Sequence, residues 1–270
     1  MSQNSKTLKN NSHNFLDKLV EATYKSINEG YYNNIKKSAN LENRNLKKQI
    51  VNCAKNPIIA EVKFASPSEG EIRRDFRYAK IVRDMVNGGA IGLSVLTEPT
   101  FFGGSINRII KIRQLTELPI LMKDIIISKI QIDAASKIGV DTILLIQRLF
   151  DNNQCESKLD EMIYYAHTKD IMILLEAHNK NEFQKAIMTD ADMIGINNRN
   201  LETLLIDLST TVSILKEHNT NNKIIITESG ITSSKDIIML RNAGADAFLV
   251  GTSIMKSDDV RSKVKELVDA

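Results

Sequence analysis

The stretch AGADAFLVG (243–251) ends a helix and begins a strand within a few residues. Gly244 stands where an amphipathic segment stops and a left-handed residue is needed, and the run after Asp246 is apolar without alternation. A strand with no polar face is one buried on both sides, as in a parallel sheet covered by helices. The same order of glycine, then apolar run, recurs in NGGAIGLSVLT (87–97) and IGVDTILLIQ (138–147).

Outward from these, further runs of the same kind are IIAEVK (58–63), PILMKD (119–124), IMILLE (171–176), MIGINN (193–198) and KIIITES (223–229). With IGLSVLT (91–97), TILLIQ (142–147) and AFLVG (247–251) they make eight. Segments with helical spacing follow them, near 78–87, 105–115, 128–138, 157–168, 180–188, 208–218, 234–243 and 258–268, several opened by Ser or Asp. Eight such units predict an α/β fold, a (β/α)8 TIM barrel over residues 57–270. An open doubly wound sheet is the alternative, against which the lack of a GxGxxG after the first run counts.

Residues 1–56 read as an N-terminal extension. The first 57 positions hold twelve Asn and a charge of +6, against −3 for the remainder. Phe15, Leu16, Leu19, Val20, Tyr24 and Ile27 share one helical face, which predicts a helix near 14–29, and a weaker one is expected over 46–53. No aromatic or Arg-rich pattern accompanies the charge, so a solvated extension is expected and no nucleic-acid partner. Across the 270 residues, 42% are hydrophobic and 26% charged, which excludes a disordered or fibrous chain. No window approaches the roughly 18 apolar residues of a membrane span, and no apolar segment follows the first lysines, so a cytoplasmic protein is expected. Cys53 and Cys155 read as reduced structural thiols, and the four scattered histidines suggest no metal site.

In such a barrel the chemistry lies at the C-terminal ends of the strands. The polar residues there are Glu61 and Lys63 after the first run, Lys123 and Asp124 after the third and Glu176 after the fifth. The later runs contribute Asn197, Arg199, Glu228, Ser229, Gly251 and Thr252. Lysines and carboxylates gathered at one mouth are costly unless acid/base chemistry uses them. The small-residue turns Ser229-Gly230 and Gly251-Thr252 fall where barrel enzymes bind phosphate, implying a phosphorylated small-molecule substrate. Ser66-Pro67-Ser68-Glu69-Gly70 forms a long turn, and Phe101-Phe102 an aromatic pair on a glycine-hinged loop, suited to covering an apolar ligand. His178, just past Glu176, reads as structural.

These segments resemble the indole-3-glycerol phosphate synthase family, through IIAEVKFASPSEG (58–70), LSVLTEPTFFGGS (93–105), LPILMKDIII (118–127), GINNRNL (195–201), ESGI (228–231) and GADAFLVGTSIM (244–255), with LLEAHN (174–179) a looser match. The resemblance implies a carboxy-lyase of tryptophan biosynthesis. It would close the indole ring of 1-(2-carboxyphenylamino)-1-deoxyribulose 5-phosphate with loss of CO2 and water, without metal or organic cofactor. By the same resemblance Lys123 is the general acid, Glu176 a base or relay in dehydration with Glu61 nearby, and Lys63 a second catalytic lysine. Asn197 and Arg199 position the substrate, and Glu228 is the seventh-strand carboxylate. Ser66 holds the substrate, Phe102 covers its aromatic ring, and Ser229, Gly230, Gly251 and Thr252 bind its phosphate. The N-terminal helix would cover the barrel mouth, and a monomer or weak homo-oligomer is expected.

The sequence departs from the family pattern in places. Ile125 stands where an aromatic is usual, Thr252 where Ser is common, and Gln147-Arg148 is bulkier than expected with no role evident in the sequence. The competing readings are another phosphate-binding barrel, of phosphoribosyl isomerase or tryptophan synthase α type, and a non-catalytic barrel that binds a phosphorylated ligand.

Overall fold

The computed structural model describes residues 14–33, 35, 44–73 and 77–270. The first thirteen residues and residues 34, 36–43 and 74–76 lie outside them. Eight parallel strands close into a barrel: β1 (Ile58–Val62), β2 (Gly92–Leu96), β3 (Ile120–Lys123), β4 (Thr142–Ile146), β5 (Met172–Ala177), β6 (Met193–Asn197), β7 (Ile224–Glu228) and β8 (Ala247–Val250). Each pairs with its neighbours in sequence, and β1 pairs with β8 to close the ring. Thirteen helices are present among the described residues. Two precede the barrel, α1 (Phe15–Asn28) and α2 (Leu46–Val51), and eight longer ones alternate with or follow the strands: α3 (Tyr78–Asn87), α5 (Ile106–Arg113), α6 (Lys129–Ile138), α8 (Leu159–His167), α9 (Lys180–Ala186), α10 (Ser209–Glu217), α11 (Ser234–Asn242) and α13 (Val260–Val268). Three short ones, α4 (Pro99–Phe102), α7 (Gln147–Asp151) and α12 (Thr252–Lys256), sit directly after strands β2, β4 and β8.

Alternate residues of each strand serve two cores. Ile58, Ala60 and Val62 pack outward with the helices, whereas Ile59 joins Leu121, Leu144, Leu174, Ile226 and Leu249 in a separate interior cluster. That is why the runs show no polar face: both sides of every strand are buried. Gly139 ends α6 with φ +75, where a side-chain-bearing residue would be strained.

Three aspartates at strand entries, two of them (Asp141 and Asp246) just behind a glycine, tie neighbouring strands together. Asp141, Asp192 and Asp246 each precede an even-numbered strand, and each accepts the backbone N–H of the first or second residue of the strand before it: Ile120 at 2.7 Å, Ile173 at 2.8 Å and Ile225 at 2.7 Å. One carboxylate per pair thus satisfies a strand-entry donor at the lower rim. Asp141 also takes a buried ion pair from Arg113 and the backbone N–H of Arg44.

The two N-terminal helices lie at opposite ends of the interior. Leu16, Leu19 and Val20 of α1 pack with the interior cluster at the strands' C-terminal ends, and Phe15 meets Phe101 edge-on at 5.4 Å. Leu46 of α2 packs against Gly92 at the start of β2, where a Cβ would come within 2.8 Å of its Cδ1. Between them Tyr32 donates to Asp124 Oδ2 at 3.0 Å, and Tyr31 donates to the Thr97 carbonyl at 3.0 Å. These bonds pin the end of α1 to the loops after β2 and β3.

Candidate active site

A cavity of about 400 Å³ opens at the C-terminal ends of the strands beneath α1. Every candidate residue except Glu228 lines it; Glu228 is fully buried directly below. Lys123 reaches up from β3 and donates to Glu228 Oε2 at 2.7 Å, with Glu61 Oε2 at 3.4 Å. Lys63 Nζ lies 2.8 Å from the other oxygen of Glu61. Two lysines and two carboxylates from β1, β3 and β7 therefore form one chain of charge, with Glu176 of β5 completing the ring.

Room for these carboxylates is made by missing side chains. A Cβ on Gly195 would lie 2.5 Å from Glu228 Oε1, and one on Gly251 would collide with the Glu61 carboxylate. Gly195 was not singled out by its sequence, because its neighbour in space is two strand positions away in β7.

Burial opposes the positive charge on Lys123, but Glu228, Glu61 and Glu176 outweigh it and hold its pKa above the ordinary lysine value. Burial would likewise raise Glu61, yet Lys63 and Lys123 bring it down to about 2. Glu228 moves the other way, to about 7, because burial and the nearby Glu176 exceed the pull of Lys123. Glu176 is held below the usual carboxylate value: burial pushes it up, and the His178 ring, then Lys123, pull it further down. The site thus keeps Lys123 as ammonium and Glu176 as carboxylate within one enclosure.

His178 is not a detached core residue. Its ring stands between Glu176 and Glu182, with Nε2 3.0 Å from Glu176 Oε1. Gln147, the last residue of the TILLIQ run, opens α7 together with Arg148, and Arg148 donates to Glu182 at 2.8 Å.

The NNRN segment divides its work. Asn197 lines the cavity, whereas Asn198 points between strands, bonding Thr227, the carbonyls of Glu228 and Ser229, and Thr211. Arg199 crosses the mouth to Ser68 Oγ at 2.8 Å, and Asn200 turns the following loop by accepting the Glu202 and Thr203 N–H groups. The turn after β1 is a small hairpin, Ala65–Ser66 against Gly70–Glu71, whose Glu69 meets Lys256 of α12 at 2.5 Å. Ser66 Oγ is buried with no protein hydrogen-bond partner, as are Glu176 Oε2 and Glu228 Oε1.

Ser229 and Gly230 are consecutive left-handed residues, φ +65 and +88, which turns the chain sharply at the cavity edge beside Gly251 and Thr252. The aromatic pair splits: Phe102 lines the cavity and Phe101 packs on α1. Glu98 holds that loop by accepting the N–H groups of Thr100, Phe101 and Phe102. Ile125 also lines the cavity. Among the described residues no group of three His, Cys, Asp or Glu side chains is disposed to hold a metal ion, and no helix is long and apolar enough to cross a membrane.

Comparison with known proteins places the chain in a family. The family model described as indole-3-glycerol phosphate synthase matches residues 15–267. Curated relatives with that name include one from Methanocaldococcus jannaschii, 44% identical over 216 residues (79% of this chain, 78% of that one), and one from Sulfurisphaera tokodaii, 41% identical over 214 residues (79% and 83%). A third, from Campylobacter fetus, is 39% identical over 210 residues (78% and 80%). Among solved structures, thiamine phosphate pyrophosphorylase from Pyrococcus furiosus superposes with a TM-score of 0.58 at 17% identity, covering 83% of this chain and 96% of that one. N-acetylmannosamine-6-phosphate 2-epimerase from Clostridium perfringens gives 0.58 at 16% identity, covering 80% and 93%. Identities that low speak to the barrel alone. The family model spans nearly the whole chain and the curated relatives match across most of both partners, so this barrel belongs to the indole-3-glycerol phosphate synthase family.

Proposed function

We propose that the cavity under α1 is where 1-(2-carboxyphenylamino)-1-deoxyribulose 5-phosphate is closed to indole-3-glycerol phosphate, with the residue roles that follow. The observation that carries the reading is Lys123, an ammonium held between Glu61 and Glu228 in the same enclosure as the Glu176 carboxylate. Attack of the aromatic ring on the ribulose carbonyl would leave an alkoxide. Lys123 supplies that oxygen with a proton and stabilises the charge as it develops. CO2 then leaves and the ring recovers its aromatic electrons; loss of water completes the pyrrole and requires a base and an acid.

Glu176, with one oxygen unpartnered, is placed to take the proton, and Lys63, paired with Glu61, to assist the departing hydroxyl. Glu228 supports Lys123 from below. Asn197, Arg199 and Ser66 orient the substrate, and Ser229, Gly230, Gly251 and Thr252 receive its phosphate. Phe102 faces the aromatic ring from one side and Ile125 supplies an aliphatic wall in place of a second aromatic.

The site is completed by α1 of the same chain, which supports action as a monomer or weak homo-oligomer, and the biosynthetic reaction supports a cytoplasmic setting. Phe15, Leu16 and Leu19 line the cavity. Deleting residues 1–30 is therefore expected to raise KM about tenfold or more through loss of apolar cover; an unchanged KM would remove α1 from the binding site. Gly251→Ala is expected to push the Glu61 carboxylate away from both lysines. Its kcat should fall about tenfold to a hundredfold and its stability by about 1–3 kcal/mol, read by steady-state kinetics and urea unfolding. A variant with native kcat would show that the position of Glu61 does not matter.

The test of the reaction itself is formation of fluorescent indole-3-glycerol phosphate from the carboxyphenylamino-deoxyribulose phosphate, with EDTA present. Product is expected. No product from folded protein would leave a barrel that binds a phosphorylated ligand without turning it over.

A further inference from the structure

His178 follows β5 with its side chain only 1% exposed, and both ring nitrogens face carboxylates: Nε2 is 3.0 Å from Glu176 Oε1 and Nδ1 is 3.2 Å from Glu182 Oε2. A neutral imidazole carries one hydrogen and would set a lone pair against one of those oxygens. Glu182 is not free to turn away. Its Oε1 accepts from Arg148 Nε at 2.8 Å and Asn179 Nδ2 at 2.7 Å, and its Oε2 accepts the backbone N–H of His178 at 2.8 Å. Arg148 is anchored in turn by Glu202 at 3.1 Å, in the loop after β6. The charged groups facing the ring are thus Glu176 from β5 and Glu182 from α9, with Arg148 of α7 behind Glu182 and Lys123 of β3 beyond Glu176.

We infer that His178 is a positioning residue for the ring-closing reaction: as an imidazolium clamped by Glu182 and Arg148, it keeps Glu176 ionised and leaves Glu176 Oε2 for the substrate. The inference rests on the reading of Glu176 as the base. It gives Arg148 a reason to stand after β4, where its sequence offered none. Burial alone would drive the ring toward neutrality, but Glu176 and Glu182 outweigh it and lift the pKa to about 9.

The test uses His178→Gln, which keeps an amide N–H toward Glu176 and removes the charge. Without the cation the Glu176 carboxyl titrates higher, so the acidic limb of the kcat profile should move up by about one to three pH units while KM stays near native. Below neutrality kcat then falls tenfold or more, and it recovers as pH rises. A uniform loss of kcat with the limb in place would mean a merely structural histidine and would overturn the inference, as would an unaltered profile. Glu182→Gln should move the limb in the same direction by less, and serves if His178→Gln fails to fold. Nitrogen NMR of the wild-type imidazoles near neutral pH gives an activity-independent reading: the His178 signal should show both nitrogens protonated, and a single protonated nitrogen overturns the inference. Failure of the wild-type protein to form product, with that doubly protonated signal present, would count against the reaction and not against the clamp.

Discussion

Lys123→Ala is expected to lower kcat about a thousandfold with a much smaller change in KM. In the proposed role the ammonium enters the reaction as the carbonyl oxygen becomes an alkoxide, so the interaction would be stronger in the transition state than with bound substrate. Its raised pKa makes it a weak acid at rest, yet an alkoxide is more basic than an amine, and transfer becomes favourable as that charge forms. The variant should still fold. Glu61 retains Lys63, and Glu228, already at about 7, can take up a proton and so avoid an unpaired buried charge. That escape has a pH signature. Without Lys123 the Glu228 carboxyl rises further. A carboxyl raised in the folded state contributes its stability below its unfolded value, and loses it as pH rises through the folded pKa. The melting-temperature deficit of Lys123→Ala should therefore be small near pH 5 and grow toward about pH 8. Turnover within about tenfold of native would take the general acid away from Lys123.

The strands were legible because burial on both faces erases alternation, and each apolar run from IIAEVK to AFLVG corresponds to one strand of the barrel. What their sequence could not convey is long-range partnership. Asp246 reads as part of a helix stop, and its bond to Ile225 on the preceding strand appears only when the barrel closes. The short helices α4, α7 and α12 carry too few residues for a period to register, so Gln147 was read as strand when it opens a helix. At the site, the strand-end rule gathered residues that do converge, but depth was invisible: Glu228 lies under the cavity and not on its wall. His178 reads as structural because a single histidine after a strand carries no pattern, and its place between Glu176 and Glu182 shows only in three dimensions. Glu182 four residues on, behind the helix-capping Asn179, was the available signal, since that spacing brings both side chains to one place at the start of α9.

Glu176→Gln should separate the two halves of the reaction. Glutamine keeps the size of the side chain and removes its basicity, so ring closure and CO2 release, which in the proposed mechanism rely on Lys123, should proceed near the native rate in a single turnover. Dehydration should slow about a hundredfold or more, because proton removal by a positioned base contributes at least that much. The expected record is a burst of CO2 followed by delayed indole fluorescence, with kcat set by the second phase. The structure makes this split physically reasonable. Glu176 Oε1 faces His178 Nε2 at 3.0 Å and Oε2 has no protein hydrogen-bond partner, so in the proposed mechanism one oxygen is turned to the imidazole and the other is left for a proton that the first step does not involve. Lys123 sits across the ring on β3 and its ion pairs run to Glu228 and Glu61, leaving the first step's acid in place when Glu176 is neutralised. Equal slowing of CO2 and indole would place Glu176 in ring closure, and native rates of both would remove it from the chemistry.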